Sequence, residues 1–269
     1  MPCVRDCEIL ENQKVAPDHF RIRLHAPDIA RDARPAQFCM LQVQKGYYPL
    51  LRRPMSFERI FDDAVTVLYK TEGEGTRMLA GLRPGSTISV QGPLGNGFPI
   101  EDRFERHIIV AGGIGVAPFP ALAEALTTEI EARPEIILAA RTKDYILCDD
   151  FFAGIGCDVH IATDDGSLGT KAYAADLLAT LQPGPKDRVY VCGPMIMMRT
   201  TSAVAVDAGA DCLVALEAQM ACGDGACLGC VVESIQEREG EKMVRVCCDG
   251  PVLDTTLIDW HAHNTAYDR

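Results

Sequence analysis

The 269-residue chain is 48% hydrophobic and 24% charged, with a formal net charge of -12, the composition of a globular protein long enough for two domains or one domain plus an extension. The acidity excludes a nucleic-acid surface, which needs a basic patch to engage phosphates. The longest uncharged stretch, residues 108 to 123, is broken by glycine and proline and too short to span a bilayer. The opening M-P-C-V-R-D-C lacks the apolar core of a signal peptide, so a cytoplasmic protein is expected, its twelve cysteines thiols or metal ligands rather than disulfides.

From the start to about Pro99 the apolar runs are short and alternating: F-R-I-R-L-H at 20 to 25, F-C-M-L-Q-V at 38 to 43 and V-T-V-L-Y at 65 to 69. Turn residues separate them, and helical periodicity is confined to a turn around Thr76 to Leu82, which predicts an antiparallel barrel or sandwich. Within this region R-R-P-M-S-F at 52 to 57 sets a cation, a rigid proline and a hydroxyl in a row. Arg53 suits a phosphate, and Ser56 suits a ring nitrogen or a ribityl hydroxyl. E-G-E-G-T-R at 72 to 77 adds Gly75 and Thr76 as backbone and hydroxyl donors for phosphate.

From about Asp102 the rhythm changes to apolar strands alternating with helical stretches. R-H-I-I-V-A at 106 to 111, E-I-I-L-A-A at 135 to 140, D-V-H-I-A at 158 to 162 and R-V-Y-V-C at 188 to 192 read as buried strands. A-P-F-P-A-L-A-E-A-L after the first of them and A-A-D-L-L-A-T-L at 174 to 181 read as helices. Alternation of this kind predicts a parallel sheet covered by helices. V-A-G-G-I-G-V-A-P at 110 to 118 then places Gly112, Gly113 and Gly115 between a strand and a helix, where backbone amides meet a pyrophosphate. Turns of this kind also serve packing alone. A second strand end, Cys192, Gly193 and Pro194, is expected to face the same crevice. Arg141, just past a strand, is either a contact for a 2′-phosphate or a solvated surface arginine.

From about Leu216 the chain turns cysteine- and glycine-rich, with short strands expected around Val231 and Val244. Such a segment buries too little apolar surface to fold alone, and a bound metal would hold it together. Cys222, Cys227 and Cys230 follow the C-x4-C-x2-C spacing of plant-type two-iron two-sulfur ligation. Zinc sites instead favour paired C-x2-C knuckles. The fourth ligand from this segment is Cys247 or Cys248; on an extended strand the two face opposite ways, and spacing does not choose between them.

Taken in order, these motifs resemble the ferredoxin-reductase-like flavoproteins, most closely the electron-transfer subunits of two-subunit, NAD-dependent dihydroorotate dehydrogenases. R-P-M-S (Arg53, Pro54, Met55, Ser56) resembles that family's flavin motif, L-Y-K (Leu68, Tyr69, Lys70) its strand beside the flavin, and G-T (Gly75, Thr76) its FAD phosphate contact. G-G-I-G at 112 to 115 with C-G-P-M at 192 to 195 resembles its nicotinamide-nucleotide half. C-G-D-G-A-C-L-G-C followed by V-C-C-D-G-P-V at 246 to 252 resembles its cluster-binding tail, and the family pattern V-C-x-D-G-P selects Cys247 over Cys248. Met55 stands where wider relatives often carry an aromatic residue, which removes aromatic stacking at that point.

The resemblance implies an α+β multidomain protein: an antiparallel β-barrel flavin domain over 1–100, an α/β parallel-sheet nucleotide domain over 101–215 and a small iron–sulfur domain over 216–269. It implies FAD and a two-iron two-sulfur cluster as cofactors, NAD as substrate, and a heterotetramer with an FMN-containing catalytic subunit in pyrimidine biosynthesis. Electrons from dihydroorotate would pass from that subunit through the cluster and FAD to NAD, the protein positioning the cofactors without a catalytic acid or base. The alternatives are the small subunit of an NADH/NADPH–ferredoxin transhydrogenase or hydrogenase-type diaphorase and, from another class, a non-catalytic iron–sulfur redox sensor.

Overall fold

A computed structural model describes residues 2–238 and 241–262; residues 263–269 of the expected third region lie outside the described residues. Strands β1 (Cys3–Ala16), β2 (His19–His25), β3 (Phe38–Gln42), β4 (Arg53–Ser56), β5 (Arg59–Ile60), β6 (Ala64–Lys70) and β7 (Thr87–Leu94) form one sheet in the order β4-β3-β7-β1-β2-β6-β5. Every pairing in it is antiparallel. Its two edge strands, β4 and β5, are consecutive in the chain, and only Phe57 and Glu58 separate them. Laid flat, seven strands would hold those edges roughly 29 Å apart at about 4.8 Å per strand, whereas the connection reaches only about 11 Å. The sheet therefore curls. Its interior takes the inward-facing residues Ile9, Ile22, Leu24, Leu41, Val67 and Val90, all fully buried, together with Ile29 of α1 (Pro27–Asp32) and Leu79 of α2 (Glu74–Ala80).

The first strand leaves little trace in sequence. Of the residues of β1 only Cys7 and Ile9 are buried, and the rest are half-exposed or exposed. A strand wet on one side and charged along most of its length shows alternation only over those two positions.

The second sheet is built from β8 (Arg106–Gly112), β9 (Glu135–Ala140), β10 (Asp158–Thr163), β11 (Asp187–Cys192) and β12 (Asp211–Ala215). All are parallel, in the order β10-β9-β8-β11-β12. Helices α3 (Phe119–Glu129), α4 (Asp149–Gly154), α5 (Ala174–Thr180) and α6 (Met195–Asp207) accompany it. Every residue of β11 is buried, as expected of a central parallel strand. The strand order reverses at β8, which has β9 on one side and β11 on the other, and this defines the crevice where ligands of such sheets bind.

The cysteine segment folds against both sheets. A hairpin, β13 (Val231–Arg238) and β14 (Glu241–Arg245), is followed by β15 (Val252–Asp254), which pairs antiparallel with β12 through Leu213↔Asp254 and Ala215↔Val252. On the barrel side, the Asn96 amide nitrogen donates to the Gly250 carbonyl at 2.6 Å, and its side chain donates to the carbonyls of Cys248 and Asp249, each at 3.1 Å. Cys230, Val232, Val244, Val246 and Cys247 share one apolar core with Val110 and Val191 of the parallel sheet and Met40 and Leu94 of the barrel. The segment borrows its core, in keeping with its poverty in apolar residues. Among the described residues no helix is long and apolar enough to cross a membrane.

Candidate functional site

Arg53, Gly75 and Thr76 are distant in sequence and meet in space. Arg53 opens β4, and its guanidinium lies over the first turn of α2: a methyl group on Gly75 would stand 2.2 Å from Arg53 Nε. No residue with a Cβ fits there without displacing the cation. Thr76 Oγ1 closes the start of the helix, accepting from the amides of Glu72 at 3.0 Å and Gly73 at 3.2 Å. The Arg53 guanidinium also donates to the Leu51 carbonyl, and Tyr48 donates to the Glu74 carboxylate. A cation, a small residue and a hydroxyl at one point fit a phosphate. Pro54, Met55 and Ser56 are half-buried along the same strand, with Met55 packed against the barrel core.

On β6 the side chains divide. Tyr69 points into the barrel: it is 1% exposed, its hydroxyl donates to Asn12 Oδ1 at 2.9 Å, and its ring stacks on Phe20 at 5.8 Å. Burial raises its phenol well above the usual value. Leu68 faces the other way and packs with Val116 and Phe119 beside the glycine turn, and Lys70 pairs with Glu72 at 2.5 Å. Of L-Y-K, only the Lys70 side chain is partly exposed, Leu68 being 2% exposed in the core between the two sheets.

At the switch point most of the glycines serve backbone packing. A methyl group on Gly115 would stand 2.6 Å from the Cys192 carbonyl carbon and oxygen, and one on Gly112 would stand 2.4 Å from Met197 Sδ and 2.9 Å from Pro194 Cδ. Gly193 is crowded in turn by Gly112. The ends of β8 and β11 thus touch through bare backbone. Gly113 differs: its φ is +53°, and nothing lies within 4 Å of where its Cβ would be. It faces open space at the crevice, in the turn that leads to α3. Cys192 is 2% exposed, and burial raises its thiol well above the usual value, so it is a neutral side chain of the core beneath the strand end.

Four of the five cysteines of the third region form two pairs. Cys222 Sγ lies 3.3 Å from Cys227 Sγ, and the amides of Cys227 and Gly229 donate to the sulfurs of Cys222 and Cys227, each at 3.4 Å. Cys230 and Cys247, 2% and 1% exposed, form the inner pair, with the Cys247 amide 3.4 Å from Cys230 Sγ. Backbone amides aimed at Cys227 lower its thiol to about 7, while burial and the Cys230 thiol raise Cys247. Two thiols per iron is what a two-iron two-sulfur cluster requires, so the donor set fits that group. Cys247 and Cys248 lie not on an extended strand but in a turn after β14, which the Asp249 side chain closes on the Arg245 amide at 2.9 Å. Cys248 Sγ sits beside Gly225, 2.8 Å from where a Cβ would be.

The loop also touches the barrel at one informative place. A methyl group on Gly223 would stand 2.8 Å from Met40 Cγ and 3.2 Å from Leu94 Cδ1. Met40 lies opposite Pro54 in the β3–β4 ladder. The cysteine loop thus rests on the strand next to R-P-M-S, about 4.8 Å away in the sheet.

Sequence reasoning missed Glu217. It follows β12 by two residues, is open to solvent yet walled by protein, and interacts with Cys192 and Glu72, one from each half. Partial loss of solvation beside the protein wall first, and Glu72 second, raise its carboxyl above the usual value. The only signal for it in sequence is its position at a parallel strand's carboxyl end.

The curled antiparallel sheet and the parallel sheet are together the fold of ferredoxin-reductase-like proteins. The chain resembles the structure of an NADH-dependent reduced ferredoxin–NADP oxidoreductase, with a TM-score of 0.83 and 31% identity over 94% of this chain and 90% of that one. It shares the fold, at a TM-score of 0.62 and 18% identity over 77% of this chain and 92% of that one, with a ferredoxin NADP+ reductase from Neisseria gonorrhoeae. The model of the iron-sulfur cluster binding domain of dihydroorotate dehydrogenase B matches residues 217–259. Among curated proteins, the electron transfer subunit of dihydroorotate dehydrogenase B (NAD(+)) from Desulforamulus reducens is 37% identical over 97% of this chain and 100% of its own length. That from Fusobacterium nucleatum is 34% identical over 93% of this chain and 96% of its own. The chain belongs to the family of dihydroorotate dehydrogenase B electron transfer subunits.

Proposed function

We propose that this chain takes electrons one at a time from an FMN-containing dihydroorotate dehydrogenase subunit in the cytoplasm and delivers them in pairs, as hydride, to NAD+. A two-iron two-sulfur cluster carries single electrons, a flavin exchanges both single electrons and hydride, and a nicotinamide takes only hydride. Cys222 with Cys227 and Cys230 with Cys247 hold the cluster; Arg53, Gly75 and Thr76 hold the FAD phosphates, and Pro54, Met55, Ser56 and the Leu68–Lys70 strand hold its ring side. Gly113 and the strand end at Cys192, Gly193 and Pro194 receive the nicotinamide nucleotide. The observation that carries this reading is the order of contacts: the cysteine loop rests on β3, β3 pairs with β4, and Leu68 of the same barrel packs beside the glycine turn. This is the sequence in which single electrons and then hydride must move. On this reading 1–100, 101–215 and 216–269 are the flavin, nucleotide and cluster units, and two copies join a catalytic dimer as a heterotetramer.

The test is co-expression with the catalytic subunit encoded in the same genome, followed by assay of dihydroorotate-dependent NAD+ reduction. Flavin absorbance, acid-labile sulfide and NADH formation are expected together; a purified chain with neither flavin nor sulfide overturns the reading. The likeness to the reduced ferredoxin–NADP oxidoreductase favours a second reading, a transhydrogenase small subunit. Co-purification with a large multi-cluster flavoprotein in place of an FMN subunit would establish it.

A further inference from the structure

A buried carboxylate of the flavin half, Glu58, is held there by a half-exposed arginine and touched from the nucleotide half. Glu58 comes two residues after the R-P-M-S strand and is 1% exposed. Arg21 of β2 grips it with a fork, Nε lying 2.9 and 2.7 Å from the two carboxylate oxygens and Nη2 2.6 Å from one of them. From the nucleotide side the Cys148 thiol, at the start of α4, donates to Glu58 Oε1 at 3.6 Å and lies 3.8 Å from Arg21 Nη2. Cys148 holds this place with a φ of +64°, a conformation costly for a residue with a Cβ. The Glu58 backbone joins in as well: its carbonyl accepts from the Ala121 amide of α3 and its amide donates to the Thr66 carbonyl of β6, each at 2.8 Å. One residue on, Arg59 pairs with Glu124 of α3 at 2.6 Å and lies over the rings of Phe61 and Phe151 at 4.7 and 5.0 Å.

Stability alone does not account for this pair. Burying a carboxylate costs enough that an apolar side chain of like volume fills such a place equally well or better. A forked arginine–carboxylate pair supplies instead a defined distance and angle between the elements that carry it. Those elements are β2 and the β4–β5 connection, both in the flavin half, so the fork fixes the Glu58 carboxylate and backbone against which Cys148 and the Ala121 amide of the nucleotide half rest. We infer that Arg21, Glu58 and Cys148 are positioning residues, which set the nucleotide half at one distance and angle to the flavin half so that hydride passes between nicotinamide and flavin from a single alignment. The inference rests on the function proposed above. Misplacement by about 1 Å costs on the order of 100-fold in such transfers.

The test uses the full chain in complex with its catalytic subunit. Glu58→Gln, Arg21→Lys and the apolar double variant Arg21→Met/Glu58→Met are compared with the parent for flavin and iron content, reduction by dihydroorotate, and anaerobic reduction by NADH. All three are expected to retain cofactors and reduction by dihydroorotate, because none of the substituted side chains contacts the cluster cysteines or Arg53, Gly75 and Thr76. NADH reduction is expected to fall roughly 10- to 100-fold, with loss of the long-wavelength nicotinamide–flavin charge-transfer band and an unchanged KM for NADH. Should Glu58→Gln fail to fold, the double variant decides. A folded double variant with the parent's NADH rate and charge-transfer band overturns the positioning role alone. A parent chain that holds flavin but is not reduced by NADH overturns the functional reading itself.

Discussion

The crevice between β8 and β11 and the loop from Cys222 to Cys230 are both rich in glycine, and glycine does a different job in each. In the crevice, Gly112, Gly115 and Gly193 let two strand ends touch without side chains between them, and only Gly113 is left facing open space. In the loop, Gly223 and Gly225 have φ values of +79° and +90° and turn the chain around the sulfurs, while the Gly229 amide donates to Cys227. The crevice is framed by apolar packing. The loop has the inner cysteine pair as its buried anchor and leaves Cys227 exposed, so ligation must supply much of its order.

Substitutions separate the two regions, and the largest effect belongs to the loop. Cys247→Ser is expected to abolish the cluster, read as loss of iron, acid-labile sulfide and visible absorbance, with the loop opened to protease; Cys248→Ser is expected to retain all three. The reverse outcome would move the fourth ligand by one residue. In the crevice Gly115→Ala drives a methyl group into the Cys192 backbone, which cannot swing aside. The expected cost is about 1–3 kcal/mol in thermal unfolding, with the cluster content unchanged.

Gly113→Ala sharpens the comparison within the crevice. It meets no clash and pays only the left-handed backbone, about 1–2 kcal/mol, so a rise in the KM for NADH larger than this cost explains would mark Gly113 as the glycine that faces nucleotide. Unchanged KM would make the whole turn a packing device. The smallest effect belongs to Glu217. Its raised carboxyl favours the protonated form in the fold, a stabilisation complete below the usual glutamate value of about 4.3 and lost as pH rises through the raised folded value. Glu217→Gln is therefore expected to leave the melting temperature unchanged in acid and to raise it at neutral pH, and a difference independent of pH would contradict the assignment.

Much of the architecture was legible because it is local. E-I-I-L-A-A is a strand over the same residues, Glu135–Ala140, and R-V-Y-V-C lies within Asp187–Cys192, since a central parallel strand is apolar on both faces and needs no partner to be recognised. Strands with other needs escaped: β1 is charged along its wet side, and β15 is a three-residue strand defined only by pairing with β12. Of the site, the cysteine spacing and the R-P-M-S and G-T segments were legible, but Tyr69 was read with its strand and turns its ring away, and Glu217 had no signal beyond its place at a strand end.

By itself the sequence determined the alternation that makes one sheet antiparallel and the other parallel, and the C-x4-C-x2-C spacing, because periodicity and a ligand loop are written within a few residues. Only tertiary structure decided which glycines face open space, which of two adjacent thiols lies beside Cys230, and that Glu58, Arg21 and Cys148 meet. Those outcomes depend on contacts between residues tens to more than a hundred positions apart, where closing the chain, not local preference, selects the neighbour.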